Sequence, residues 1–426
     1  MPYNDGGLAE VVNWKDTNTT KIRAGLLAAR NLERLSEWVV QSDSSGTGGL
    51  LPDSSFDHLQ AWPLFMRQHL EENDIPVAGT GMVRTLDNIL VDDRWATISG
   101  TWFTQHKTFA YCTANGATIE LTPDRGGDRL TVMYYDGGTA EPLTFTTLVD
   151  GVTVSVSNSS MAGWRKTTRT VDIDAAEAIR LAKTAGIYFA PAAACVWDSA
   201  GGLLIHNVGQ GGSSARGTGT AHDRWSNDVT REGLPQVFGN PCVGNDPPDC
   251  VIYAIGGNDK RLGVSDTLVI DAIKKRREAY PDSDFIIVAE TKLSNALVAE
   301  ATWETFLDAL HTLAVDTLDV PLIDQYARLG TYTEIVAAGL NADTDGHLKP
   351  IALEDLGRSV GRLLLDSIEE VPDPDPPTPE LPHRFDLDTD PRFNRYQLVG
   401  MGLSCAICGV LLGDPELHYT TDHPEV

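Results

Sequence analysis

Four short stretches of the sequence carry side chains that could together perform acyl transfer. They read SDSSG at 42–46, HNVGQGG at 206–212, GGND at 256–259 and NADTDGH at 341–347. The stretches supply serines, glycine-rich turns, a side-chain amide, acids and a histidine. Acyl transfer needs a nucleophile, hydrogen-bond donors to an oxyanion, and a base that a carboxylate orients, and these residue types provide each of them.

Short apolar runs precede three of these stretches and predict the strands that position them. The runs are WVVQ, GLLIHNVG and DCVIYAIGG, and two more, DFIIVAE and DVPLID, follow along the chain with helical segments between several of them. This alternation predicts a parallel sheet, and ligands bind at the carboxyl ends of such strands. The histidine stretch precedes a predicted last helix. The apolar face of that helix consists of Leu353, Leu356, Val360, Leu363 and Leu364.

The pattern along the chain predicts one α/β domain with added segments. We expect an N-terminal arm with a helix at 1–35, the first part of the α/β domain at 36–89, and its second part at 201–370. Between them, at 90–200, short alternating runs separated by GG, DG and NG predict an inserted antiparallel β-sandwich or jelly roll. An acidic, proline-rich linker at 371–382 leads to a separate tail at 383–426.

The composition excludes several classes of function. Asp and Glu total 60 against 33 for Lys and Arg, a net charge of -27, so the field of the protein repels nucleic acid and anionic lipid. The apolar runs are shorter than the roughly 18 residues needed to cross a bilayer. The first residues lack the basic and apolar regions of a signal peptide, and six cysteines are too few for a disulfide framework.

The four stretches, in this order, resemble the sequence blocks of the SGNH or GDSL hydrolase family. VVQSDSSGTGG resembles the first block, with Ser44 as nucleophile and Gly48 as the later glycine. HNVGQGGSS is similar to the second block and places an oxyanion N–H on Gly212. IGGND matches the third block and places the oxyanion amide on Asn258, and the final histidine is His347. The resemblance implies a three-layer, flavodoxin-like α/β domain that hydrolyses esters without a cofactor.

Two positions depart from the family pattern. Ser42 stands where the family usually has glycine. The family also spaces its acid three residues before the histidine, a position that Thr344 occupies here. Asp345 lies two residues before His347 and Asp343 lies four before it. We favour Asp345 as the orienting acid, with Asp343 as the alternative.

A rival nucleophile lies within the second stretch. GGSSA at 211–215 is close to the Gly-x-Ser-x-Ala form of the α/β-hydrolase nucleophile turn, with Ser213 as the nucleophile. That interpretation leaves both SDSSG and GGND unexplained, so Ser44 is favoured.

Aromatic residues in the predicted β-sandwich have two interpretations. Aromatics on alternating strands are most often core residues that pack the module. If these aromatic side chains are instead exposed on the surface, they would contact carbohydrate close to the catalytic edge of the sheet. The residues concerned are Trp102, Tyr111, Tyr134, Tyr135 and Trp164.

Cysteines and histidines in the tail have the pairwise spacing of a structural zinc site. The ligands would be Cys405, Cys408, His418 and His423, in a C-x2-C-x9-H-x4-H arrangement. A short tail buries little core, so a metal would help it to fold. The alternative is an unstructured tail with a chance cysteine pair. Upstream, Cys242 and Cys250 flank VGNDPP, a spacing that could close a short disulfide loop.

These features predict a serine esterase that removes acetyl or short acyl groups from carbohydrate, such as cell-envelope polysaccharide. The acidic, glycine-rich chain with its N-terminal arm suits a bacteriophage tail protein that binds other virion proteins as a homo-oligomer. The second choice is a free secreted esterase. The predicted location is therefore the virion or the extracellular space. The competing class is a receptor-binding or structural virion protein that keeps the fold without the chemistry, and the shifted acid before His347 favours it.

Overall fold

A computed structural model gives the architecture of the chain. It describes residues 10–42, 49–50, 56–57, 60–84, 94–105, 109–136, 143–146, 153–156, 163–175, 177–183, 190–209, 214–215, 242–244, 246–368, 396–399, 402–405 and 411–412. The chain divides into two compact units, Met1–Ile368 and Glu369–Val426.

The elements are numbered along the chain. The strands are β1 Glu10–Val12, β2 Leu35–Gln41, β3 Gly49–Leu50, β4 Phe56–Asp57, β5 Val83–Arg84, β6 Trp95–Ser99, β7 Phe103–Gln105, β8 Phe109–Tyr111, β9 Thr118–Leu121, β10 Gly127–Asp136, β11 Leu143–Thr146, β12 Thr153–Val156, β13 Gly163–Ile173, β14 Ile179–Ala182, β15 Ala190–Trp197, β16 Gly202–Asn207, β17 Cys250–Ile255, β18 Asp284–Ala289, β19 Leu322–Asp324, β20 Tyr396–Val399, β21 Gly402–Cys405 and β22 Leu411–Leu412. The helices are α1 Thr20–Arg30, α2 Trp62–Glu72, α3 Gly257–Arg261, α4 Asp266–Ala279, α5 Glu300–Thr312, α6 Gln325–Leu329, α7 Tyr332–Ala337 and α8 Pro350–Asp366, with a π-helix at Leu313–Leu318. Within these described segments, each helix is too short or too polar to cross a membrane.

The central sheet of the first unit has six strands in the order β1-β19-β18-β17-β2-β16. The strands from β19 to β16 run parallel, and β1 pairs antiparallel with β19 at the edge. Every residue of β17 and all but the first of β18 are buried. Continuous burial is expected where both faces of a parallel sheet are covered. The predicted parallel α/β sheet is confirmed.

Helices cover both faces of this sheet, so that the sheet and the two helix layers make three layers. One face packs against α1, α2 and α8 in a single hydrophobic cluster that includes Trp38 and Val40. The other face packs against α4 and α5 in a second cluster, together with Met133 and Cys195 of the antiparallel strands. The predicted apolar face of the last helix is confirmed, because all of its predicted residues are buried in α8.

Antiparallel strands fill the described parts of the region that the sequence assigns to a β-sandwich. A four-stranded sheet has the order β13-β10-β15-β5, a three-stranded sheet has the order β14-β9-β6, and β7-β8 and β11-β12 are two-stranded. One hydrophobic cluster contains residues of both larger sheets, among them Leu130 and Ile119. Tyr134 lies in that cluster with 2% of its surface exposed. Tyr134 is therefore a core residue and not part of an exposed aromatic platform.

The described N-terminal residues belong to the α/β layers and not to an arm in front of them. The strand β1 completes the sheet beside β19. The helix predicted in this segment is α1, whose Ile22 and Leu26 lie in the hydrophobic cluster beneath the sheet. Leu32 has a φ of +53°, a left-handed conformation that lets the chain turn from α1 into β2. The described residues 10–35 therefore supply one strand of the sheet and one helix of its layers, and the predicted domain boundaries stay predictions.

The two cysteines that could close a short disulfide loop do not do so. Cys242 and Cys250 are separate, buried thiols. Burial raises the pKa of both thiols well above the usual range, so they stay protonated and unreactive.

The second unit contains a three-stranded antiparallel sheet, β20-β21-β22. Cys405 is the last residue of β21. The other three predicted zinc ligands, Cys408, His418 and His423, lie outside the described residues. The zinc site stays a prediction.

A buried ion-pair network joins α2 to the antiparallel strands. The side chain of Arg67 is 7% exposed, and its Nη2 lies 2.5 Å from Oδ2 of Asp124, shortly before β10. Nη1 of Arg94 lies 3.0 Å from the other oxygen of Asp124. Burial alone would raise the pKa of Asp124, but the two guanidinium groups hold it well below its usual range. The carboxylate therefore stays charged between two cations.

We predict that Asp124→Asn lowers the free energy of unfolding by about 3–5 kcal/mol, because it leaves the buried charge of Arg67 without its partner. Urea unfolding at neutral pH measures the change. Asp319→Asn is the matched control, since the pair of Asp319 with Lys15 is exposed and should not shift the midpoint. Equal midpoints for Asp124→Asn and the unmodified protein would contradict the prediction.

Candidate active site

Three neighbouring parallel strands end at the same edge of the sheet. β2 lies between β16 and β17, and its last residues pair Val40 with Asn207 and Gln41 with Tyr253. The N–H of Val208, just after β16, donates to the carbonyl of Val40 at 2.8 Å. The segments that leave these strands are therefore neighbours in space, as the sequence predicts.

The predicted nucleophile follows β2 directly. The strand ends at Gln41, and Ser42, which replaces the family's glycine, is 1% exposed. Ser44, the oxyanion donor Gly212 and the rival nucleophile Ser213 lie outside the described residues. Their roles stay predictions, and the described neighbours show only that the strand before Ser44 ends at this edge.

The turn that carries Asn258 is held against helix α5. Gly256 has a φ of +133°, and a Cβ built there would lie 2.6 Å from Cε1 of Phe306. Only glycine fits this left-handed backbone beneath an aromatic ring. Helix α3 begins at the next residue, so the half-buried Asn258 stands in its first turn at the carboxyl end of β17.

Asp259 connects the Asn258 turn with the segment that follows β16. Its carboxylate is buried, with 1% of the residue exposed, and Oδ1 accepts the N–H of Ala215 at 2.6 Å. Ala215 lies three residues after Gly212 in the sequence. The sequence block GGND contains Asp259, but only the structure shows that its acid binds a backbone N–H.

The loop that carries His347 is folded around the carboxylate of Asp343. Oδ1 of Asp343 accepts the backbone N–H groups of Asp345, Gly346 and His347 at 2.9, 2.9 and 3.1 Å. Oδ2 lies 2.6 Å from Nδ1 of His347. One side chain therefore determines both the loop's backbone and the orientation of the imidazole.

The charge of Asp343 determines the tautomer of His347. Burial would raise the pKa of Asp343, but the bonds from His347 and the loop's N–H groups lower it below the usual value. An ionised carboxylate only accepts, so in the neutral imidazole Nδ1 carries the proton and Nε2 is the acceptor nitrogen. Because the pKa of Asp343 is lowered on folding, its ionised carboxylate stabilises the folded protein at pH values above the pKa of an unfolded aspartate. This contribution is lost as the pH falls through the pKa of Asp343 in the folded protein.

The structure corrects the preferred partner of His347. Asp345, favoured from the sequence, points its carboxylate towards Arg261, with 3.5 Å between Oδ2 and Nη2. Both side chains of that pair are 42% exposed. Thr344, at the family's acid position, is exposed. The carboxylate in contact with His347 is that of Asp343, the alternative.

One group of described residues has the donor atoms of a metal site. Glu37, His206 and Cys242 bring their ligating atoms within 4.8 Å of one another. Nδ1 of His206 already accepts the N–H of Met82 at 3.2 Å, and Nε2 lies 3.0 Å from Oε1 of Glu37. Glu37 also accepts the N–H of Val243. These hydrogen bonds use the histidine's donor and acceptor, so the group is a buried network joining strands and not a metal centre.

The aromatic residues predicted to contact sugar differ in their burial. Trp102 and Tyr111 are partly exposed, and Nε1 of Trp102 donates to the carbonyl of Ser99 at 3.2 Å. The side chains of Tyr135 and Trp164 lie outside the described part of the structure. Among the five predicted aromatics, Trp102 and Tyr111 are the described side chains with partial exposure, and Trp102 also packs against the hydrophobic cluster of the two larger antiparallel sheets.

Comparison with solved structures reveals the fold. The structure of a peptidoglycan O-acetylesterase superposes with a TM-score of 0.60 and 14% identity, over 84% of this chain and 99% of the other. The chain has the SGNH/GDSL hydrolase fold. At this identity the likeness is one of fold, and it agrees with the fold that the four sequence blocks imply.

Two further solved structures match smaller parts of the chain. A family two carbohydrate esterase from Cellvibrio japonicus has a TM-score of 0.26 and 10% identity, over 68% of this chain and 98% of the other. A G-D-S-L lipolytic protein from Veillonella parvula has a TM-score of 0.28 and 18% identity, over 38% and 80%. No family model matches the sequence, and no curated protein matches it.

We predict that Asp343→Ala speeds amide hydrogen exchange at Asp345, Gly346 and His347 about tenfold to a hundredfold. A hydrogen bond to a charged group contributes roughly 1.5–3 kcal/mol, and the substitution removes the acceptor. Exchange measured by NMR or mass spectrometry tests this. Asp345→Ala is the control, since it keeps the Asp343 carboxylate and should leave Gly346 and His347 protected. Unchanged exchange in Asp343→Ala would show that the carboxylate does not fold the loop.

Proposed function

We propose that the protein is a serine ester hydrolase with Ser44 as nucleophile and His347 as base. The bond between Asp343 and His347 carries this proposal, because it holds the imidazole in one orientation and, in the neutral ring, makes Nε2 the basic nitrogen. The loop of this histidine contacts the segment after β18, where Ser294 N donates to Asp345 O at 3.0 Å. The base therefore belongs to the same sheet edge as Asn258. The SGNH/GDSL fold and the order of the sequence blocks support the assignment.

The reaction proceeds by double displacement. Nε2 of His347 takes the proton from Oγ of Ser44 while that oxygen bonds to the ester carbonyl carbon. The N–H groups of Ser44 and Gly212 and the side chain of Asn258 donate to the resulting oxyanion. The intermediate collapses with loss of the alcohol, which receives the proton from His347. Water, activated by the same nitrogen, then attacks the acyl-enzyme and releases the acid and free Ser44.

The position of Asp343 weakens the argument for an inactive binding protein. That alternative depends on the absence of an acid three residues before His347. Asp343 compensates for the longer spacing because the N–H groups of Asp345 and Gly346 fold back onto its Oδ1, which brings Oδ2 to the imidazole. The orienting function is available from position 343, so the departure from the family spacing does not require a loss of chemistry.

We extend the proposal to acetyl or other short acyl esters on carbohydrate, such as cell-envelope polysaccharide. The peptidoglycan O-acetylesterase that shares this fold over 99% of its own length supports this choice of substrate. The partly exposed Trp102 and Tyr111 are the aromatic side chains that would contact a sugar. The chemistry needs no cofactor. A place in a phage tail, partner virion proteins and a homo-oligomer stay predictions from the sequence.

We predict that Ser44→Ala abolishes the release of p-nitrophenol from p-nitrophenyl acetate, whereas Ser213→Ala retains it. Asn258→Ala should lower kcat about 10²- to 10³-fold, the effect of losing one oxyanion donor. Initial rates of the purified variants at neutral pH provide the measurement, and circular dichroism shows that each variant is folded. Full activity in Ser44→Ala would reject the proposed nucleophile. A folded native protein without activity on this ester or on acetylated polysaccharide would favour the binding protein.

A further inference from the structure

Residues 290–294 follow β18 and join the Asn258 turn to the His347 loop, and we call them the brace. The first brace residue, Glu290, is buried with 2% of its surface exposed. Its Oε2 accepts the N–H of Gly257 at 3.3 Å, and its own N–H donates to the carbonyl of Ile255 at 3.3 Å. Gly257 directly precedes Asn258, so this carboxylate holds the backbone one residue before the predicted oxyanion donor.

The other end of the brace supports the histidine loop. The N–H of Ser294 donates to the carbonyl of Asp345 at 3.0 Å. Gly346 has a φ of +111°, and a Cβ built on it would lie 2.9 Å from Cα of Leu293. A side chain at this position would push the two backbones apart, so glycine lets the loop pack directly on the brace.

The middle of the brace is anchored to helix α5. The side chain of Lys292 is 0% exposed, and its Nζ lies 3.2 Å from Oε2 of Glu300. The same ammonium group donates to the side chain of Asn295, and Glu300 also accepts the hydroxyl of Tyr326. A buried ammonium group needs charged and polar partners, and these partners tie the middle of the brace to α5.

We propose that Glu290 is a positioning residue for the ester hydrolysis proposed above, on which this inference rests. Through the brace it sets the distance between the Asn258 amide and the His347 imidazole. The oxyanion and the proton in transfer are a few ångströms apart in one transition state, so the two groups must be held within about 0.5 Å of their productive positions. Glu290 does not touch the substrate, because its carboxylate is buried under the Asn258 turn.

The test begins with Glu290→Met, which keeps the length of the side chain and removes the acceptor. We expect kcat for p-nitrophenyl acetate to fall about 10- to 100-fold, the effect of a displacement of about 1 Å, with KM unchanged. Glu290→Gln should recover most of kcat, because the amide oxygen accepts the same N–H. Asp284→Ala is the matched control. Asp284 lies at the opposite end of β18, where its carboxylate also accepts backbone N–H groups, and its loss should leave kcat unchanged.

A double substitution separates positioning from general damage to the fold. In the Asn258→Ala background, Glu290→Met should lower kcat less than about threefold, because the group that it positions is already absent. A role in overall stability would instead give the same loss in both backgrounds. Should Glu290→Met fail to fold, Lys292→Met tests the brace through its contact with α5. We expect the same loss of kcat, and again a smaller loss in the Asn258→Ala background.

The outcomes distinguish the two proposals. A folded native protein without esterase activity rejects the proposed function, and with it the role of Glu290. An active native protein whose kcat is unchanged by Glu290→Met, or falls equally with and without Asn258, rejects the positioning role alone.

Discussion

The carboxylate of Asp343 has two sets of partners, and the geometry of the site depends on both. One oxygen accepts three backbone N–H groups and closes the loop, and the other accepts Nδ1–H of His347. The carboxylate cannot turn away from the imidazole without breaking the bonds that fold the loop. The histidine is therefore held in the tautomer that a general base requires before any substrate arrives.

Carboxylates hold the backbone at several points along this sheet edge. Asp259 accepts the N–H of Ala215, and Glu290 accepts that of Gly257. Each acid binds a segment that leaves a different strand, so the segments after β16, β17 and β18 are joined to one another by charge-assisted hydrogen bonds. A chain with a net charge of -27 thus uses part of its acidic excess as backbone acceptors.

The parallel sheet and the glycine turn at its carboxyl edge before Asn258 could be predicted because they depend on local patterns. The roles of Asn258 and His347 stay predictions. Buried runs identify parallel strands, and the carboxyl edge follows from the fold. The acid that contacts His347 could not be predicted. Both Asp343 and Asp345 are close to His347 in the sequence, and the fold of the turn decides which carboxylate reaches the imidazole. That fold depends on which acid accepts the backbone N–H groups of the turn. Glu290 was missed because a buried acid after a strand resembles an ordinary polar loop. The β1 strand was missed because an edge of three residues has no readable period.

Asp343 orients His347 in the esterase that we propose. The most direct test compares kcat/KM of Asp343→Asn and Asp345→Asn on p-nitrophenyl acetate. We expect a loss of about 10²- to 10⁴-fold for Asp343→Asn, because an amide no longer fixes the Nδ1–H tautomer or stabilises the imidazolium. We expect little change for Asp345→Asn. A large loss in Asp345→Asn with an unaffected Asp343→Asn would contradict this role of Asp343.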